Sequence, residues 1–253
     1  MQFVNMSIDE EKCRELISSA IAGDVENVQD LLRRTDVGVN YVPHGYRFNR
    51  CAGSALFHAI ENSQEEVVEV LLRNSGVNIN VHDVPSSPWE DLNPLCHAVI
   101  KGSESIARQL LEKRANVSHV CNRGFSRGHA DALVHAVMAC NEPLVRLILN
   151  RGDIELRYAA CMPLLHCGIY YSSIEVMEAL RESGANVSEE DPKGRSPLQF
   201  AIERFKGDLR ICKMTEISNA LLGHGAVLSF VDCLAMNPAL AQFLREKWSF
   251  LEN

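Results

Sequence analysis

The 253-residue chain has no apolar run approaching the ~18 residues that a membrane-crossing helix needs. Its opening stretch, MQFVNMSIDEEKCRELISS, puts acids where a secretion leader needs a basic stretch and then an apolar core, so no leader is expected. Positive charge is in deficit. There are 25 Lys and Arg against 33 Asp and Glu, a net charge of −8, which argues against a broad nucleic-acid-binding surface. Aromatic residues make up only 6 %, which suits close packing of small-residue helices better than a large β-sandwich. The nine cysteines are odd in number and none forms a C-x-x-C pair. Reduced thiols in a cytoplasmic or nuclear compartment are therefore expected, without a disulfide framework. No glycine-rich phosphate loop is present. At 46 % hydrophobic and 23 % charged residues the chain holds enough apolar surface to offset the entropy of ordering it.

That apolar surface is distributed with a repeat. Residues 55–80, 94–119 and 132–156 align on Leu56, Leu95 and Leu133. Each leucine is followed three residues later by alanine: Ala59, Ala98 and Ala136. A second apolar block then opens at Val67-Val68, Ile106-Ala107 and Leu144-Val145, and a double aliphatic closes it at Leu71-Leu72, Leu110-Leu111 and Ile148-Leu149. The same template fits more loosely at 16–32, with Leu16 and Ala20, and at 163–187 with one inserted residue. It opens again at 191–205 and closes at 220–228. Positions i, i+3, i+4 and i+7 of each first block share one small apolar helical face, so each unit reads as two short helices. Ser63-Gln64 turns the chain between them, and Gly76, Gly152, Gly184 and Gly225 are placed to cap the second helix in a left-handed conformation.

The pattern resembles the ankyrin repeat family, whose marker is T-P-L-H-x-A followed by two helices at a period near 33 residues. The residues that carry the resemblance are Asp191-Pro-Lys-Gly-Arg-Ser-Pro-Leu-Gln-Phe-Ala201, Gly184-Ala-Asn-Val187, Arg114-Ala-Asn-Val117 and Leu221-Leu-Gly-His-Gly-Ala226. It implies an all-α solenoid of about six helix-turn-helix units near 13–40, 52–80, 92–119, 130–156, 161–188 and 191–228, within one domain spanning 1–253. A terminal helix over 237–250 is expected to cap the stack. The resemblance also implies long finger loops, a concave groove lined by the first helices, and a non-catalytic scaffold or adaptor that holds another protein or peptide. No nucleic acid, membrane, metal or cofactor is expected, and the array is expected to act as a monomer.

Two departures nominate residues. Leu56 to Leu95 is 39 residues and Leu95 to Leu133 is 38, and the excess lies in the fingers at 39–53, 81–93 and 119–131. Long loops tend to carry function. These hold Tyr46, Arg47, Phe48, Trp89, Phe125 and Arg127, residue types that anchor interfaces, although aromatics there could equally pack on neighbouring fingers. The second departure is histidine. The family's histidine follows the leucine, whereas here that slot holds Phe57, Cys96, Val134 and Leu165, and the next holds His58, His97, His135 and His166. Helical spacing puts that next position opposite the Leu-Ala stripe, so His58, His97, His135 and His166, with Lys101, are expected to project into the groove. Three roles stand open for the histidines. They could bond a neighbouring unit or a bound peptide. They could form an acid–base site in an atypical enzyme or small-molecule-binding groove. They could hold a metal, against which stands the 8–10 Å typical spacing of packed helices.

Overall fold

The structure, a computed structural model, describes residues 8–43, 53–80, 92–119, 130–151, 154, 156–158, 162–204 and 211–226. Twelve helices occupy them, and they follow one another in pairs. The first pair is α1 (Glu10–Ala22) with α2 (Val25–Leu32), the second α3 (Ala55–Glu61) with α4 (Glu65–Arg73), and the third α5 (Pro94–Lys101) with α6 (Glu104–Glu112). The fourth is α7 (Ala132–Met138) with α8 (Glu142–Leu149), the fifth α9 (Leu164–Tyr171) with α10 (Ile174–Glu182), and the last α11 (Pro197–Arg204) with α12 (Ile211–Gly223). Two short antiparallel strands, β1 (Arg157–Tyr158) and β2 (Met162–Pro163), lead into α9.

Seven of the helices start at a polar cap. Asp9, Asp24, Ser54, Asn93, Asp131, Asn141 and Ser173 accept hydrogen bonds from N–H groups of the following first turn, which satisfies donors that the helix itself leaves open. In the first five pairs the two helices are joined by one recurring turn. Its pivot takes positive φ: Gly23 at +77°, Ser63 at +56°, Gly102 at +73°, Cys140 at +53° and Ser172 at +61°. The next residue's N–H closes back five residues, as from Gln64 to Ala59 and from Asn141 to Ala136. Ser63 and Cys140 thus hold a conformation that glycine adopts without strain. Arg114, at φ +63° after α6, is in the same position. Ser63→Gly and Arg114→Gly are each expected to raise stability by up to about 1 kcal/mol in urea unfolding.

The turn fixes the register. The carbonyls it recruits belong to Ser19, Ala59, Ala98, Ala136 and Gly168, so these define the small-residue slot. Ser19 rather than Ala20 fills it in the first pair. Gly168 fills it in the fifth, where an added methyl would stand 3.1 Å from Met177 Cγ on α10. The helices there approach too closely for alanine without a shift of that side chain. After the second helices, Gly184 and Gly225 are left-handed as the spacing predicts, at φ +97° and +85°. Gly76 is not, because Asn74 ends α4 in an extended conformation and the chain turns through Val77 N–H to Asn74 O instead. Gly152 lies outside the described residues.

Packing runs along two rows. α1, α3, α5, α7, α9 and α11 each touch the next, and so do α2, α4, α6, α8, α10 and α12. Between the rows a continuous core is buried, from Leu16 and Val28 through Leu71, Leu95, Ile106, Leu110, Leu133, Leu144 and Ile148 to Leu198 and Ile217. Along the loop side, asparagines bridge successive units. Asn40 Nδ2 donates to Gly76 O at 2.7 Å and its Oδ1 accepts from Asn78 N–H at 2.7 Å. Asn80 Oδ1 accepts from Asn116 N–H at 2.8 Å, and Asn93 Nδ2 donates back to Asn116 O at 2.8 Å. Asn40→Ala and Asn80→Ala should each lower stability by about 1 kcal/mol, read from denaturant midpoints. The expected cap over 237–250 lies outside the described residues.

Candidate binding face

The residues two and one places before each turn pivot stand at the ends of the first helices and form a band across the row. They are Ile21 and Ala22, then Glu61 and Asn62, Ile100 and Lys101, Met138 and Ala139, and finally Tyr170 and Tyr171. Ile100 and Met138 are partly buried against the core, while Ile21, Tyr170 and Tyr171 are exposed, Tyr170 at 48 %. The two tyrosine rings meet edge to face with centroids 5.1 Å apart, and the guanidinium of Arg204 on α11 lies 4.8 Å over Tyr170. A cation over a ring face is attracted by its quadrupole, which orients the phenol. The band therefore offers aliphatic and aromatic surface between a charged end at Glu61 and Lys101 and another at Arg204.

The histidines lie deeper than the spacing predicts. His58 and His97 are only 4 % and 3 % exposed, and His166 is fully buried; His135 alone is partly exposed. The physical reason is the closeness of adjacent first helices: a side chain aimed along the row meets its neighbour before it meets solvent. His97 Nε2 lies 2.5 Å from Glu61 Oε2 of the preceding unit, and its ring stacks on Phe57 at 4.2 Å between centroids. Lys101 Nζ reaches the other Glu61 oxygen at 3.3 Å. Burial pushes the Glu61 carboxyl up, but the hydrogen bonds from His97 and Lys101 prevail and hold it below the usual range. This cluster ties α3 to α5. Among the described residues no group of three His, Cys, Asp or Glu side chains is placed to hold a metal ion.

His166 has a different register from the other three. Counted from the turn pivot, it falls one residue earlier, in the slot that Phe57, Cys96 and Val134 occupy. The residue inserted in α9 causes this, and Cys167 takes the slot of His58. His166 accordingly bonds forward: its Nε2 lies 3.0 Å from Arg195 O in the loop before α11. Of the cysteines, Cys96 and Cys167 are buried and burial pushes the Cys167 thiol up to about 11, whereas Cys140 is exposed at the turn pivot. Tyr46, Arg47, Phe48, Trp89, Phe125 and Arg127 lie outside the described residues. Tyr41, at the base of the first finger, packs on the core and donates its hydroxyl to Glu10 at 3.1 Å.

Residues 16–121 match the family model for ankyrin repeats, in three copies. Over those residues the chain is similar to the ankyrin repeat family. Solved structures extend the likeness in fold beyond the matched residues. An ankyrin repeat domain (ABAYE2397) from Acinetobacter baumannii AYE superposes with a TM-score of 0.65 at 20 % identity, covering 84 % of this chain and 98 % of that one. The ankyrin repeat domain of Bcl-3, a member of the IkappaB protein family, gives 0.65 at 19 % identity, covering 84 % of this chain and 86 % of that one. A chain from the complex of the predatory endopeptidase Bd0816 of Bdellovibrio bacteriovorus with the immunity protein Bd3460 gives 0.61 at 18 % identity, covering 82 % and 96 %. No curated protein matches. The ankyrin fold is generally a protein–protein interaction module, and at these identities the structures speak for the fold alone.

Proposed function

We propose that this chain is a non-catalytic scaffold that holds a partner protein or peptide against the band of first-helix ends and on its finger loops. The observation that carries this reading is the run Ile100, Met138, Tyr170 and Tyr171, which places apolar side chains at equivalent positions of three successive units. An aromatic pair left at the surface of a rigid stack is a form of surface that partners bury. The stack orders these residues before binding, so little entropy is lost on association. Trp89, Phe48, Tyr46, Arg47, Phe125 and Arg127 are the proposed finger contacts, and Lys101 and His135 the proposed polar contacts on the row. The protein would act as a monomer in a reducing compartment. The acid–base reading of His58, His97 and His135 draws no support from the burial of the first two.

The reading is tested by affinity capture from native extract, with variants as controls. Tyr170→Ala and Trp89→Ala are each expected to weaken retention of the captured partner by about 1–4 kcal/mol, while the melting temperature stays within a degree or two of the parent. Retention that falls only in step with lost folding, or not at all, would place the interface elsewhere.

A further inference from the structure

We propose that His166 is an acid-sensitive latch that holds the last described helix pair, α11 and α12, onto the stack. The latch is a cluster at the junction of α9 with the loop that enters α11. His166 is fully buried on α9, and its Nε2 stands 3.0 Å from Arg195 O. A carbonyl only accepts, so the neutral ring carries its proton on Nε2, leaving Nδ1 as a bare acceptor. Nδ1 is buried and has no hydrogen-bond partner among the described residues. Protonating the ring puts a second N–H there, facing no acceptor, in a site closed to water. The ring also meets Phe200 of α11 edge-on at 5.2 Å, and the Arg195 guanidinium lies 4.8 Å over that same Phe200. His166 thus touches both the loop and the helix that it secures.

The surrounding charges do not rescue the cation. The hydrogen bond to Arg195 O favours it, as do Asp191 and Glu189 in the loop after α10, while the Arg195 guanidinium opposes it. Of the helices packed on α9, α7 brings the titratable His135, and α10 brings Arg181 with the exposed Glu175, Glu178 and Glu182. α11 brings Glu203 and Arg204, both exposed, and β2 brings no charge. Burial acts most strongly on the imidazole and holds its pKa below the ordinary 6.5. The sign follows. Above 6.5 both the docked and the released ring are neutral and the latch has full strength. As pH falls below 6.5 the released ring takes a proton that the docked ring refuses, so acid favours release of α11 and α12. Release would also withdraw Arg204 from Tyr170, at the edge of the exposed band.

Hydrogen–deuterium exchange on the full chain at about pH 7.5 and about pH 5.5, corrected for the intrinsic rate, reads this directly. Protection over residues 191–204 is expected to fall by about tenfold at the lower pH relative to α3 through α6, the effect of one pH unit of linkage. In His166→Gln, which keeps an N–H donor but does not titrate, that selective fall should vanish. Equal protection at the two pH values, or the same fall in the variant, overturns the proposal. Should His166→Gln not fold, the ring resonances of the parent decide: titration below 6.5 in step with a shift of the Phe200 ring supports the latch, and titration at or above 6.5 overturns it.

Discussion

Leu110→Ala is expected to lower stability by about 2–5 kcal/mol, the larger end of what one substitution does to this chain. Leu110 is wholly buried on α6, where it belongs to the continuous core between the two rows. Its truncation removes the transfer free energy of the lost carbons and leaves a cavity that the surrounding helices close only in part. α6 touches α4, α5 and α8, so the loss is felt on both sides of the third pair. In a repeat array stability is close to a sum of units and nearest-neighbour interfaces. The third pair is interior, and weakening it is expected to broaden the urea transition as well as shift it, because the flanking pairs can then unfold apart. Circular dichroism against urea checks both effects. Leu71→Ala, the equivalent change on α4, should behave alike, since Leu71 is equally buried. A shift below about 0.5 kcal/mol for both would mean that the core does not run through the second helices as described.

The leucine, alanine and double-aliphatic marks could be read directly because each does one job in every unit, and a repeated job leaves a repeated letter. The pairing of helices, the pivot at Ser63-Gln64 and the caps at Gly184 and Gly225 followed from it. What escaped the spacing depends on neighbours rather than on position. His58 and His97 look solvent-facing on an isolated helix and are buried only because the next helix stands beside them. His166 reads as one of the same row until the extra residue in α9 is counted from the turn, which is a feature of backbone hydrogen bonding and not of composition. The asparagine bridges at Asn40 and Asn80 were visible as letters, but their reach to the next unit is a fact of three-dimensional stacking. Gly76 looked like a cap because glycine there fits, yet Asn74 ends the helix first. For the exposed band, Lys101 was on the face that helical spacing picks out, while Tyr170 and Tyr171 were hidden by the same inserted residue.

Asp191→Ala is the other substitution with a large expected effect, about 3 kcal/mol of stability lost. The Asp191 side chain is 2 % exposed, and it accepts from Lys193 N–H and Arg195 N–H, both at 2.9 Å. It also accepts from Arg195 Nε at 2.8 Å and Nη2 at 2.5 Å. Alanine would leave two backbone donors without their acceptor and the Arg195 guanidinium with Glu203 alone, and that orphaning, more than the lost attraction, sets the size of the effect. Asp191→Asn keeps one acceptor oxygen and should lose less, about 1–2 kcal/mol. The pH dependence separates this cluster from the His166 latch that shares its loop. Burial pushes the Asp191 carboxyl up, but hydrogen bonds from the Arg195 guanidinium and from the backbone hold it below the ordinary 3.8. A depressed carboxylate contributes stability that is full above its unfolded value and is lost as pH falls through the folded one, so this loss begins only below 3.8. The parent should therefore soften first below 6.5 through His166 and again below 3.8 through Asp191. Asp191→Asn should remove its contribution to the second step and leave the first in place, as thermal melts across that range would show. Loss of the first step in Asp191→Asn would mean that the two groups titrate as one unit, and that the order of the loop before α11 rests on their pairing rather than on burial of the ring.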